Sequence, residues 1–213
     1  MFSLYYSPGA CSLVTHIALE ESGANYDLEQ VALAQGEQLK PNYLAINPHA
    51  RVPSLGTRHG IVTENIAILN LIADLFEGPG SVPRDDPFAA AHCNELLGWF
   101  SSSVHIAFAQ IWRGERFAED KGLHLAIEAG GRKALETQFA EIEQRSSESW
   151  LVEGRFTAAD SYALVFFRWG RRIGMDMGRY PAWSALLDQA LDRPAVQRAL
   201  YREGLSAGEF RPA

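Results

Sequence analysis

No run of about 18 apolar residues occurs in this 213-residue chain, so no membrane span is expected. No lysine or arginine precedes Lys40, which leaves no positively charged targeting region at the start, and the expected location is the cytoplasm. Cysteine is scarce: Cys11 and Cys93 are the only two. They form no metal-ligand spacing, and no metal is expected. Cys11 also lacks a C-x-x-C partner, because Pro8 and Val14 stand three positions to either side, which argues against a dithiol oxidoreductase. A basic patch is missing as well. The net charge is −7; residues 1–80 hold 8 acids and 3 bases, and residues 81–213 hold 18 and 16. That balance excludes a nucleic-acid partner and means that an anionic ligand would need local donors. No internal repeat or low-complexity tract interrupts the chain.

What remains is an ordinary globular composition, 47% apolar and 21% charged. The start is its most informative part. Phe2–Tyr6 reads as a strand, Ser7-Pro8-Gly9-Ala10 as a turn, and Ser12 to Ser22 as a helix closed at Gly23. Cys11 therefore falls at a helix N-terminus, where free N–H groups and the helix dipole favour a thiolate. Cys93, among Ala91, Leu96 and Leu97, reads as packing.

A second strand is expected from Tyr26 to Leu33, parallel to the first, because a βαβ unit connects them. Arg51–Leu55 and Ile61–Thr63 follow as short strands, and Ile66–Phe76 as an amphipathic helix. Glu77 to Pro87, rich in proline and glycine, marks a linker. Beyond it everything reads as helix: Phe88 to Trp112 as one long helix, Leu123 to Arg145 as another, then Thr157-Ala158-Ala159-Asp160 as a capping box with a structural role. Pro181 and Pro194 open the last two helices. The fold class is thus α/β joined to all-α.

The pieces Leu4-Tyr5-Tyr6-Ser7-Pro8-Gly9-Ala10-Cys11, Tyr43-Leu44-Ala45-Ile46-Asn47-Pro48, Val52-Pro53-Ser54-Leu55, Thr63-Glu64-Asn65-Ile66-Ala67, Asp160 and Arg193-Pro194-Ala195-Val196, in this order and spacing, resemble the glutathione transferase superfamily, specifically its bacterial beta class. The resemblance implies a thioredoxin-like N-terminal domain with a mixed four-stranded sheet (1–77), a linker (78–87) and an all-helical domain carrying an apolar substrate site (88–213). It also implies a homodimer, glutathione as cosubstrate and a small electrophile as second substrate in a detoxifying conjugation, with no metal.

It implies site residues too. Pro53 would be cis, presenting the Val52 backbone to an extended peptide as a strand would; read without the resemblance, a trans proline opening an edge strand is the favoured reading. Glu64 and Asn65 suit the ammonium and carboxylate of the γ-glutamyl group, or else simply cap a helix. The family usually carries a smaller residue where Asn65 stands. Cys11 would lie beside the glutathione sulfur, either bonding to it or forming a mixed disulfide.

His105 occupies the position of a histidine at the active-site mouth, although a lone histidine on a helix face is more often a boundary residue. Ile106 replaces a lysine that would meet the glycine carboxylate, with Gln35 and Arg51 as substitutes. Phe108, Trp112, Phe117 and Phe166 either line the second-substrate pocket or form core. Arg113 lies near enough to serve an acidic substrate. Two further functions compete with conjugation: glutathione-dependent thiol–disulfide exchange through Cys11, and a noncatalytic interaction module.

Overall fold

Alternation of apolar and aromatic residues makes Phe2–Tyr6 (β1) a strand that buries Leu4 and Tyr6 on one face. In the computed structural model, which describes residues 2–147, 149–152 and 154–212, β1 runs at the centre of its sheet. It pairs in parallel with Tyr26–Gln30 (β2), Leu4 opposite Leu28, and antiparallel with Ser54–Thr57 (β3), Leu4 opposite Leu55. Gly60–Thr63 (β4) completes the order β2-β1-β3-β4. The sheet is mixed and four-stranded, as the resemblance implies. The second strand stops at Gln30, short of the expected Leu33: the Val31 N–H still reaches the Tyr6 carbonyl at 2.7 Å, and the chain then turns into a short 3₁₀ helix, Leu33–Gln35. The third strand begins at Ser54, not Arg51.

Between β1 and β2 lies α1, Ser12–Ser22, closed by Gly23 in the left-handed conformation (φ +66°). It is buried almost all round, not on one stripe, because it is packed on two sides. One side meets α3 (Asn65–Leu75), and the other meets the helical domain. A single turn, α2 (Pro41–Leu44), precedes the loop that carries Val52 and Pro53.

The helical domain opens with α4, Pro87–Trp99. Asp86 caps it by accepting from the Phe88 and Ala89 N–H groups at 2.8 and 3.3 Å. The single long helix expected to Trp112 is interrupted. Phe100–Val104 widens into a π-helical turn, and α5 begins at His105, whose N–H bonds to the Phe100 carbonyl five residues back. Such widened turns recur where a helix re-aims a functional side chain. Next comes α6, His124–Arg145, which crosses α5 closely: a Cβ on Gly131 would lie 2.6 Å from the Ala107 carbonyl oxygen.

At the centre of the domain is α7, Ala158–Arg172, buried along nearly its whole length. Its capping box forms as expected. The Asp160 carboxylate accepts from the Thr157 N–H (2.7 Å) and the Leu151 N–H (2.9 Å), and its burial pushes its pKa up to about 6. The last helices are α8, Pro181–Leu191, and α9, Pro194–Glu203. One continuous core runs from the sheet through α1 into α7.

Candidate active site

A cleft of about 650 Å³ lies where the two domains meet, with Cys11, Val52, Pro53, Glu64, His105 and Trp112 among its lining residues. Its floor is the loop from Ser7 to Cys11, and long-range contacts hold that loop. The Gly9 N–H donates to Glu203 Oε2 at 2.8 Å, while Glu203 Oε1 meets His16 Nδ1 at 2.8 Å. The Gly9 carbonyl accepts from Trp169 Nε1 at 2.8 Å and from Arg168 Nη1 at 3.4 Å. Arg168 is itself fixed by two bonds to Glu209, at 2.8 and 2.9 Å. Ser12 is used up locally, its hydroxyl tied to the Ser7 backbone.

Cys11 caps α1, as its sequence position requires, but the thiolate expected there does not form. Its side chain is buried, and burial pushes the thiol up to about 12. The backbone N–H and the charges of Arg113 and Arg51 oppose that rise without cancelling it. The thiol instead donates to the Val52 carbonyl at 3.4 Å. A helix terminus is worth at most ~2 kcal/mol to a charge, less than the several kcal/mol that desolvation can cost. Iodoacetamide is accordingly expected to label Cys11 slowly at neutral pH, with a rate still climbing above pH 9. Mass spectrometry of the labelled chain checks this; fast labelling that levels off below pH 7 would contradict it.

The Val52–Pro53 peptide is cis. The strap before it is anchored by Tyr43 and Asn47: the Tyr43 hydroxyl and Asn47 Nδ2 both donate to the Arg51 carbonyl, at 2.7 and 2.8 Å, and Asn47 Nδ2 also reaches Ser54 Oγ at 3.1 Å.

Across the cleft, Glu64 heads α3 with φ +68°, a conformation that side chains other than glycine avoid and that tends to be kept at functional positions. It is exposed, and among the described residues its carboxylate has no hydrogen-bond or ion-pair partner. Asn65 corrects its expected role. Its side chain is turned inward and both of its donors are used: Oδ1 accepts from Thr15 Oγ1 (2.6 Å), and Nδ2 donates to the Cys11 carbonyl (3.0 Å) and the Tyr162 hydroxyl (2.9 Å). It has no capacity left for a ligand carboxylate. Instead it locks α1, α3 and α7 together beneath Cys11, which accounts for its being larger than the family pattern.

His105 is half-buried at the head of α5, its ring edge-on to Trp169 with centroids 5.1 Å apart. Burial first, then the charges of Arg113, Arg51 and Arg116, lower its pKa to about 4. It is a neutral imidazole at pH 7, and among the described residues neither nitrogen is hydrogen-bonded. A group with a depressed basic pKa leaves the unfolded chain holding more protons between about 4 and 6.5, so its contribution to stability falls as pH falls through that window.

Phe108 is corrected from pocket to core: it is fully buried and stacks on Phe166 and Trp112. Phe166 is core too, and Phe117 lies outside the cleft. Trp112 and Ile106, both substantially exposed, do line it. Gln35 is exposed just beyond Ala34 and does not reach the cleft, whereas Arg51 does. Sequence reasoning missed Glu203, Trp169, Arg168 and Arg116. The first three lie about 160 to 194 positions from Gly9 and carry no local signal.

A thioredoxin-like sheet whose first loop carries a cysteine, a cis-proline strap beside it and a helical domain closing the cleft define a thiol-binding two-domain protein. The N-terminal residues 2–74 match the family model described as glutathione S-transferase, N-terminal domain. The chain is 30% identical to the glutathione S-transferase GST-4.5 of Xanthomonas campestris pv. campestris, over 95% of this chain and 99% of that one. It superposes on a Sulfitobacter glutathione transferase homologue solved with bound glutathione (TM-score 0.88, 31% identity, 97% and 99% of the two chains covered). It also superposes on the beta class enzyme of Sphingomonas chungbukensis (TM-score 0.83, 31% identity, 96% and 100% covered). The chain belongs to the glutathione S-transferase family.

Proposed function

We propose that this protein is a glutathione transferase that joins the glutathione thiol to small electrophiles. The observation that carries this reading is the convergence, in one cleft, of the Val52 backbone 3.4 Å from Cys11 Sγ, the unpaired Glu64 at the head of α3, and a neutral His105.

Each part of the tripeptide then has a partner. Its cysteinyl backbone pairs with Val52 in the manner of an added strand. The γ-glutamyl carboxylate meets the first N–H groups of α3 rather than the Asn65 side chain, and the ammonium meets Glu64. Arg51 serves the glycine carboxylate, standing in for the lysine that Ile106 replaces. The glutathione sulfur lies beside Cys11, which keeps its proton and, once the Val52 carbonyl is taken by the peptide backbone, turns that hydrogen bond from Val52 to the sulfur, with the His105 N–H as a second donor. Arg51 and Arg113 add positive potential.

Ionising most of a bound thiol at neutral pH requires lowering its pKa by roughly two, or about 2.7 kcal/mol. Two donors to a charged sulfur at about 1.5 kcal/mol each supply that order of energy. The thiolate attacks an electrophile held against Ile106, Ala109 and Trp112, and holding the two reactants in place supplies much of the remaining acceleration.

A Cys11 thiol held at about 12 is a poor attacking group, which weighs against thiol–disulfide exchange as the main activity. The internal role of Asn65 weighs against a noncatalytic module, since that departure from the family pattern leaves the α3 N-terminus open. Residues 1–77 would form the glutathione-binding domain and residues 88–213 the domain for the second substrate, joined by 78–87. The homodimer and the cytoplasmic, detoxifying role belong to the same proposal. Exposed Ile61, Leu75 and Phe88, on the adjacent β4, α3 and α4, support an interface. Two unbridged cysteines suit a reducing compartment.

Calorimetry with glutathione and a conjugation assay with chlorodinitrobenzene test the function. Binding and thioether formation are expected, with kcat/KM rising with pH along a single ionisation, that of the bound glutathione thiol. Failure to bind at millimolar glutathione would contradict the reading.

A further inference from the structure

Four arginines, Arg51, Arg113, Arg116 and Arg172, line the cleft of a chain whose net charge is −7; Arg172, at the end of α7, lies near enough to Glu209 to help lower its pKa. Among the described residues none of them makes a side-chain hydrogen bond or ion pair. Elsewhere most arginines are ion-paired, among them Arg84 with Asp74, Arg132 with Glu128, Arg168 with Glu209 and Arg193 with Glu21, and those without an acidic partner, such as Arg58 and Arg171, lie outside the cleft. Arg51 and Arg113 both lie close enough to Arg116 for their charges to disfavour its charged form. Like charges gathered and left unpaired in a cleft are held ready for an anion.

Glutathione accounts for one of them. Its glycine carboxylate needs a single cation, and Arg51, on the strap next to Val52, is on its side. Arg113 and Arg116 are on the opposite wall, just past the end of α5. Ile106, Ala109 and Trp112 precede them at helical spacing and face the same cleft. That wall is apolar for two turns and then cationic.

We propose that the second substrate is an electrophile with an apolar body and a carboxylate at its far end, and that Arg113 and Arg116 hold that carboxylate. This rests on the transferase reading and narrows its substrate class. In the transfer, a C–S bond forms between the glutathione sulfur and the electrophilic carbon. For an aryl chloride the C–Cl bond breaks, chloride leaves with the bonding pair, and the thiol proton passes to solvent.

The test compares chloronitrobenzoate with its carboxamide, a neutral molecule of nearly the same shape, using the full-length protein. Each kcat/KM is divided by the uncatalysed rate constant for the same compound. The carboxylate is expected to be preferred by about tenfold or more, the value of one charge-assisted contact. Arg113→Gln and Arg116→Gln should each remove most of that preference, and Arg116→Lys should keep part of it. A purely structural role, such as complementing the α5 dipole, would alter the melting temperature and leave the ratio alone.

A ratio near one in the unaltered protein would overturn the proposal. So would variants that raise the KM for glutathione and leave the ratio unchanged, because the arginines would then belong to the peptide's own site. If calorimetry detects no glutathione binding, the transferase reading falls together with this one. Glutathione binding with equal use of both compounds would overturn only the substrate class.

Discussion

Glu203→Ala is expected to destabilise the protein by about 3–5 kcal/mol, the cost of removing one partner from a buried charged contact. The Glu203 and His16 side chains are both fully shielded from solvent. Without the carboxylate, the Gly9 N–H and His16 Nδ1 lose their partner inside the core, where the other His16 nitrogen, Nε2, already has no hydrogen bond. In a chain of this size that amounts to a fall in melting temperature of about 10 °C. The loop that ends at Cys11 loses one of its two clamps, so kcat/KM should fall as well. Glu203→Gln should recover most of the stability: the amide oxygen can accept from Gly9, and the amide nitrogen can donate to His16 Nδ1 once the proton sits on Nε2. Thermal melts of both variants check this, and an alanine variant within about 1 kcal/mol of the parent would show that the clamp is not structural.

Gly9→Ala is expected to damage the site from the other side of the same loop. Gly9 has φ +65°, where an alanine costs about 1–2 kcal/mol. Its new Cβ would also lie 2.3 Å from Arg168 Nη1. A mobile arginine could move away, but this one is nearly buried and held by two bonds to Glu209, so either the loop or that pair must shift. Displacing Cys11 by about 1 Å is enough to cost roughly 10²-fold in kcat/KM. Steady-state kinetics alongside urea unfolding would measure the two effects separately. An alanine variant with unchanged kcat/KM would mean that this loop does not set the catalytic geometry.

Local signals made the N-terminal half legible. Strand periodicity placed Phe2–Tyr6, a glycine closed α1 at Gly23, and Pro181 and Pro194 marked the last two helices, whereas the single turn at Pro41 was not read and Pro87, assigned to the linker, is the first residue of α4. The Thr157 capping box could be read because its partners lie three residues apart. The break before His105 could not, since Phe100 to Val104 contains neither proline nor glycine and only packing decides between an α and a π turn. The errors at the site share one cause. The helix terminus at Cys11 is a local feature, but the burial that overrides it comes from chain distant in sequence, including the Val52 strap. Asn65 looked like a ligand group because Thr15 and Tyr162, which satisfy it, lie 50 and 97 positions away. Phe108 and Trp112 are one helical turn apart and indistinguishable in sequence, yet the first is sealed in core and the second faces the cleft. The cationic lining of the cleft is hidden by an acidic average, because its arginines come from the strap, from just past the end of α5 and from the end of α7.

In the proposed mechanism a glutathione thiol, not Cys11, is the sulfur that ionises in this cleft. Titrating thiolate absorbance in the ultraviolet, with and without bound glutathione, tests it most directly. The free protein should give no thiolate signal at neutral pH. With glutathione bound, one ionisation should appear about two pH units below that of the free peptide, moving up by about one in Cys11→Ala. A thiolate signal in the free protein near pH 7, or a bound peptide that titrates as it does in water, would contradict it.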